Sequence, residues 1–180
     1  MSYIIWKEGS MMNFEIRILQ AEDYLLYKDI RLELLKNHPT YFGSDEQEEK
    51  AFDDTTWKNR LSKDTVDSYG VFNDGQLIGL AVVVYQPRRK MKHIANLNSM
   101  YVKPSFRHLG AASRLLDAIV RDLSLKKIHR LNLSVVETNA SAIQLYQSNG
   151  FVEYGLEPDV INEQGKYHSL LLMSLLIGRN

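Results

Sequence analysis

Apolar and polar residues alternate along residues 14–19 (FEIRIL), the period of a strand with one face on a core. From Ala21 the period lengthens. Tyr24, Tyr27, Ile30 and Leu34, with Leu25 and Leu35 beside them, draw one apolar stripe along a helix over residues 21–36, and Pro39 stops it. Asp54 is placed to cap a short helix through Leu61. Two apolar runs in YGVFNDGQLIGLAVVVY are joined across Asn73, Asp74 and Gly75, residues that tolerate the positive φ of a tight hairpin turn. Residues 93–102 read as the next strand, ended by Pro104. Leu115, Leu116, Ile119, Val120 and Leu123 then form the buried face of a third long helix. Residues 130–136 (RLNLSVV) alternate again, residues 139–150 read as a short helix closed by Gly150, and strands are expected at 151–154 and 167–177.

The order β-α-α-β-β-β-α-β-α-β, with the extra strand at 151–154, predicts an α/β chain of the mixed α+β kind. Six to seven strands form a mixed sheet covered by helices, because that arrangement buries all of these faces. No repeat or linker divides it. We expect residues 12–180 to form a single domain, with residues 1–11 an extension or an additional strand ahead of it.

Composition changes this picture by exclusion. Among 180 residues, 22 basic and 22 acidic side chains cancel, so no global field advertises nucleic acid or an anionic membrane as partner, and any charge recognition is local. No cysteine is present, which removes disulfides, zinc thiolates and a cysteine nucleophile. The first twelve residues lack the basic start and long apolar stretch of a secretory signal, and LLLMSLLIG is about half of a membrane span. The chain reads as cytoplasmic. Asp45, Glu46, Glu48 and Glu49 crowd into five positions, either as a solvated loop or helix start or as a lure for a cationic substrate.

The third long helix begins without bulk. Its first backbone N–H groups have no partner within the helix, and the peptide dipoles add roughly half a positive charge there. Gly110, Ala111 and Ala112 let a phosphate reach those N–H groups, and Arg107 adds a fork of donors. The same small residues also suit close packing of the helix on a sheet, so the residues alone leave both readings open. Downstream, Asn139 caps a helix with Ala142, Leu145, Tyr146 and Asn149 on one face. A tyrosine there is either a core aromatic or a functional phenol.

Arg107-His108-Leu109-Gly110-Ala111-Ala112 fits the Q/R-x-x-G-x-G/A motif of the GCN5-related N-acetyltransferase (GNAT) family. Asn139-x-x-Ala142-x-x-Leu145-Tyr146-x-x-x-Gly150-Phe151 resembles that family's later segment, in the right order and at the right separation. The resemblance implies a mostly antiparallel central sheet with helices on both faces, splayed between strands four and five. It also implies acetyl-CoA as co-substrate, no metal, and a small-molecule or protein amine as acceptor. By the same resemblance the pyrophosphate sits on the N–H groups of residues 108–112 beside Arg107: His108, Leu109, Gly110, Ala111 and Ala112. The pantetheine arm pairs with Met100, Tyr101 and Val102, Asn139 contacts the arm, and Tyr146 reaches the thioester sulfur as general acid. Ala112 replaces a glycine of many relatives, which stiffens the loop.

With no cysteine and no G-x-S-x-G elbow, a covalent acyl-enzyme has no obvious carrier, so direct amine attack in a ternary complex is the simpler scheme. Positions where some relatives carry a glutamate hold Asn96 and Ser134 here. The base is therefore open between Glu137, near the end of a strand, a water held by Asn96 or Asn98, and an amine that loses its proton before binding. An acyl-CoA-binding regulatory module without turnover is the competing reading. The apolar last strand is a candidate surface for a homodimer.

Overall fold

A computed structural model describes residues 2–7 and 10–178; residues 1, 8 and 9 of the expected extension, and 179 and 180, lie outside it. Eight strands form one sheet in the order β1-β2-β3-β4-β5-β6-β8-β7: Ser2–Lys7, Ser10–Ile18, Val66–Asn73, Gln76–Tyr85, Ile94–Val102, Arg130–Val136, Val152–Glu163 and Lys166–Leu176, numbered along the chain. All neighbours are antiparallel except β5 and β6. The strand beyond the expected seven is β1, which pairs with β2 from Ser2↔Glu15 to Lys7↔Ser10.

Among the described residues there are five α-helices: α1 Tyr24–Asn37, α2 Glu46–Lys50, α3 Asp54–Leu61, α4 Ala111–Leu125 and α5 Ala140–Ser148. On one face, Leu115, Leu116, Ile119 and Leu123 of α4 pack with Ala95, Leu97, Leu131 and Leu133. On the other, Tyr27, Ile30 and Leu34 of α1 and Trp57 of α3 pack on Phe72, Leu77, Leu80 and Tyr101. Helices thus occupy both faces.

Several local expectations change. Leu25 is exposed while Arg31 is buried on α1, because the helix turns a guanidinium toward α2. The α3 cap is Asp53, whose carboxylate accepts from the Thr56 N–H at 2.7 Å, one residue before Asp54. Val120 is only half-buried. The expected short strand at 151–154 is the start of twelve-residue β7, whose register shifts after Glu153 and again after Glu157. Gly155 and Pro158 break its period of two, and an edge strand tolerates proline because its N–H has no obligatory ladder partner.

The β3–β4 turn runs through Asp74 (φ 48°) and Gly75 (φ 78°), the pair of positive values that a type I′ hairpin demands.

Candidate active site

β5 and β6 pair in parallel only from Ile94↔Arg130 to Leu97↔Leu133, so the two strands part beyond Leu97 and Leu133. On its other side β5 keeps pairing with β4, but with a bulge: Val82 faces Asn98 and Leu80 faces Tyr101, leaving Ser99 and Met100 opposite Ala81 alone. Ser99 has φ 54°. Lys103 N–H donates to Ile78 C=O at 2.9 Å. Because N–H and C=O directions alternate along a strand, those of Val102 turn away from β4, toward the parted side.

β5 ends in a short 3-10 turn, Pro104–Phe106, and a loop leads into α4. His108 (φ 62°) and Gly110 (φ 79°) both adopt left-handed backbone. Gly110 is the N-cap of α4 and has no side chain to cap it, so the amides of Ala111, Ala112 and Ser113 carry the helix's positive end bare. The first intrahelical bond is Arg114 N–H to Gly110 C=O at 3.1 Å. Ala111 is buried against the core, so both properties expected of the small residues, close packing and low bulk, hold at once.

Arg107 folds back over the strand end. Its Nε donates to Val102 C=O at 3.0 Å and its Nη2 to His38 Nε2 at 3.0 Å, with the guanidinium 5.7 Å from the Tyr101 ring centre. An arginine only donates, so His38 Nε2 is the acceptor and its imidazole is neutral. Burial, then the Arg107 charge, lowers the His38 pKa, in agreement.

Opposite lies α5. The Asn139 side chain accepts from the Ala142 N–H at 3.3 Å and caps the helix. Tyr146 is buried, its ring 5.6 Å edge-on from Phe151. Burial pushes its hydroxyl well above the ordinary tyrosine value, so the phenol stays protonated at any physiological pH.

These parts enclose one cleft of about 590 Å³. Met100, Tyr101, Val102, Arg107, His108, Gly110, Ala111, Ala112, Asn139 and Tyr146 all line it. Leu109 packs on the core instead, and the Tyr101 phenol points toward α1, where it donates to Glu33 at 2.9 Å. Glu137 and Asn96 lie outside the lining. Glu137 is exposed beyond β6, tied by its N–H to Ser169 C=O at 3.1 Å, and Asn96 pairs with Asn132 where the strands are still joined. His38 is a cleft residue that sequence reasoning missed. The only local hint was its position between the end of α1 and Pro39. Tyr41 stacks on it at 5.8 Å, and with Phe42 completes that wall.

The acidic run is not a lure as a whole. Asp45 caps α2, accepting from Gln47 and Glu48 N–H, and Glu49 is only 3 % exposed, held by Arg31 and Arg60. Among the described residues no group of three or more His, Cys, Asp or Glu is placed to hold a metal, and no helix is long and apolar enough to cross a membrane.

Residues 27–151 match the model of the Acetyltransferase (GNAT) family. No curated protein matches the sequence. Similar solved structures include a GNAT-family acetyltransferase from Streptococcus pneumoniae (23% identical, TM-score 0.76, covering 91% of this chain and 99% of that one). Another is a ribosomal-protein-alanine N-acetyltransferase from Brucella melitensis (23%, 0.75, 90% and 99%). A third is a putative acetyltransferase from Salmonella typhimurium, solved with acetyl-CoA (18%, 0.79, 93% and 95%). At these identities the structural likeness shows the fold alone.

Proposed function

On the premise that this chain belongs to the GNAT acetyltransferase family, we propose that it transfers the acetyl group of acetyl-CoA to a primary amine by direct attack in a ternary complex. The observation that carries the reading is convergence: bare helix amides, the free edge of β5 and a buried protonated phenol, from three separate segments, line one cleft.

Acetyl-CoA supplies the activated acetyl as a thioester. The cradle fits its diphosphate, since the first turn of α4 offers uncapped N–H groups behind a glycine and two alanines. Arg107 adds charge once it leaves Val102 and His38. Val102 then offers its N–H and C=O to an amide-bearing arm, and Met100 N–H, at the bulge, polarises a carbonyl oxygen where negative charge develops. Tyr146 holds a proton for the departing sulfur. From ordinary values of about 10 and 8.5 that transfer is uphill by about 2 kcal/mol, and a cleft that raises the phenol's pKa raises a thiol's as well.

The incoming ammonium must lose a proton, which costs roughly 4 to 5 kcal/mol at pH 7 for an alkylamine. In this reading it does so to water, before or during entry; Glu137 or a water on Asn96 would serve only through a relay of waters, since both residues lie outside the cleft lining. One similar structure is a ribosomal-protein-alanine N-acetyltransferase, which keeps protein N-termini in the acceptor panel.

A second reading, an acyl-CoA-binding regulatory module, is favoured by one observation: no Asp or Glu lines the cleft among the described residues. One experiment decides. Acetyl-CoA at about 100 Kd adds about 2.7 kcal/mol, or roughly 5–11 °C in Tm. With pooled amines the enzyme reading requires thiol release, which Tyr146→Phe lowers 10²- to 10⁴-fold with little change in CoA affinity. An unchanged melting curve sinks both readings, and binding without release leaves the module.

A further inference from the structure

We infer that Arg31 is a positioning residue for acyl transfer, fixing the Ser99 bulge and through it the aim of the Met100 amide into the cleft. The inference rests on the acetyltransferase reading for its kinetic consequence, and on side-chain geometry for its mechanism.

Ser99 occupies left-handed backbone (φ 54°), a conformation that costs a serine about 1–2 kcal/mol and persists only where surroundings impose it. The imposing group is in view. Arg31 Nη1 donates to Ser99 Oγ at 2.8 Å. Arg31 is itself 6 % exposed and cannot swing away. Its Nε and Nη2 grip the two Glu49 oxygens at 2.9 and 2.7 Å, Nη2 also donates to Ser44 Oγ at 2.9 Å, and Arg60 Nη1 holds Glu49 from the far side at 2.9 Å. An ion pair that served only to join α1 to α2 needs no third arm. This one reaches a strand 68 residues away, at the position just before cleft-lining Met100.

The bulge sets where the Met100 amide sits along β5. Ser99 and Met100 share the single partner Ala81, and Lys103 N–H bonds to β4, so alternation back along β5 turns Met100 N–H, like that of Val102, toward the side where β6 has parted. On that side β6 offers Met100 no paired residue, since the parallel ladder ends at Leu97↔Leu133. The segment that supplies Ser44 and Glu49 also follows the Tyr41–Phe42 wall of the cleft, so one guanidinium ties that wall to the strand that carries Met100.

Misplacing a reacting group by about 1 Å costs up to 10²-fold. Arg31→Ala leaves Glu49 without its main partner and risks the fold, so Ser99→Ala is the primary variant: it removes one hydroxyl and keeps the Arg31–Glu49–Arg60 cluster. In the CoA-free protein, the ¹⁵N–¹H spectrum of Arg31→Lys, a change remote in sequence from Met100, is expected to show the Met100 amide moved or broadened, with Leu131 and Leu133 in β6 unchanged. In turnover, kcat of Ser99→Ala falls about 10- to 100-fold while its Tm stays within about 2 °C and its Kd for CoA within about twofold of parent. Arg31→Lys, which keeps the charge but not the fork, lowers kcat similarly, and the double variant is no worse than either single one. An Arg31→Lys protein with an unmoved Met100 resonance or a Ser99→Ala protein with parental kcat overturns the inference, and so does a Ser99→Ala protein that melts early, since the hydroxyl is then a folding element. A parent protein that releases no thiol with any amine refutes the acetyltransferase reading instead, and the Met100 resonance still decides the clamp.

Discussion

Glu49→Gln puts the buried cluster to a test of stability. The substitution keeps shape and removes charge. In the parent, Glu49 is buried and accepts from Arg31 at 2.9 and 2.7 Å and from Arg60 at 2.9 Å, and the Arg31 side chain is only 7 % exposed. With glutamine there, an amide faces two guanidinium groups, and Arg31 has no route to water. Breaking a buried pair by removing one partner costs about 3–5 kcal/mol, and the half-exposed Arg60, which is free to hydrate, places the expectation toward the lower figure. At about 2–4 °C per kcal/mol for a chain of this size, Tm should fall by roughly 6–20 °C, a large share of a typical stability of about 5–15 kcal/mol.

The pH dependence adds a signature that a packing defect lacks. Burial, the largest single influence, pushes the Glu49 carboxyl up, but the hydrogen bonds and charges of Arg31 and Arg60 together outweigh it and hold it below the usual carboxylate range. A depressed folded-state pKa stabilises fully above the unfolded value, about 4.3, and the contribution is lost as pH falls through the folded value. The gap between parent and variant is therefore widest near neutrality and closes in acid. Thermal melts followed by circular dichroism from pH 7 down to 3 measure it. A Tm within about 2 °C of parent at pH 7, or a gap that widens on acidification, refutes the reasoning.

Asp53→Ala should cost about 1 kcal/mol, or roughly 2–4 °C, through loss of the α3 cap, and Asp54→Ala distinctly less, since Asp54 makes only exposed contacts to Tyr24 and Lys28; urea midpoints of the two variants check the assignment. Gly110→Ala strains a residue at φ 79° by about 1 kcal/mol and sets a methyl at the mouth of α4, so calorimetry should show about tenfold weaker CoA binding, and an unchanged affinity removes the cradle from the site.

Much of this protein is written in short stretches of its chain. The Asp74-Gly75 turn, the span of β6 over Arg130–Val136, the apolar face of α4 and the Asn139 cap depend on period, propensity and turn chemistry among residues a few positions apart, and each follows from the sequence by itself. The two motif segments are local too, which is why they stand out in the sequence as candidate site residues. What escaped were consequences of distant approach. The buried state of Glu49 depends on a partner 18 residues away and the clamp on Ser99 on one 68 away, while Arg107 meets His38 across 69 positions. A run of acids looks the same whether water or guanidinium surrounds it, and a serine carries no mark of the φ it will be held at. Only the packing of α1, α2 and α3 over β5 decided those, because desolvation and backbone strain are properties of the surroundings a residue is folded into and not of the residue.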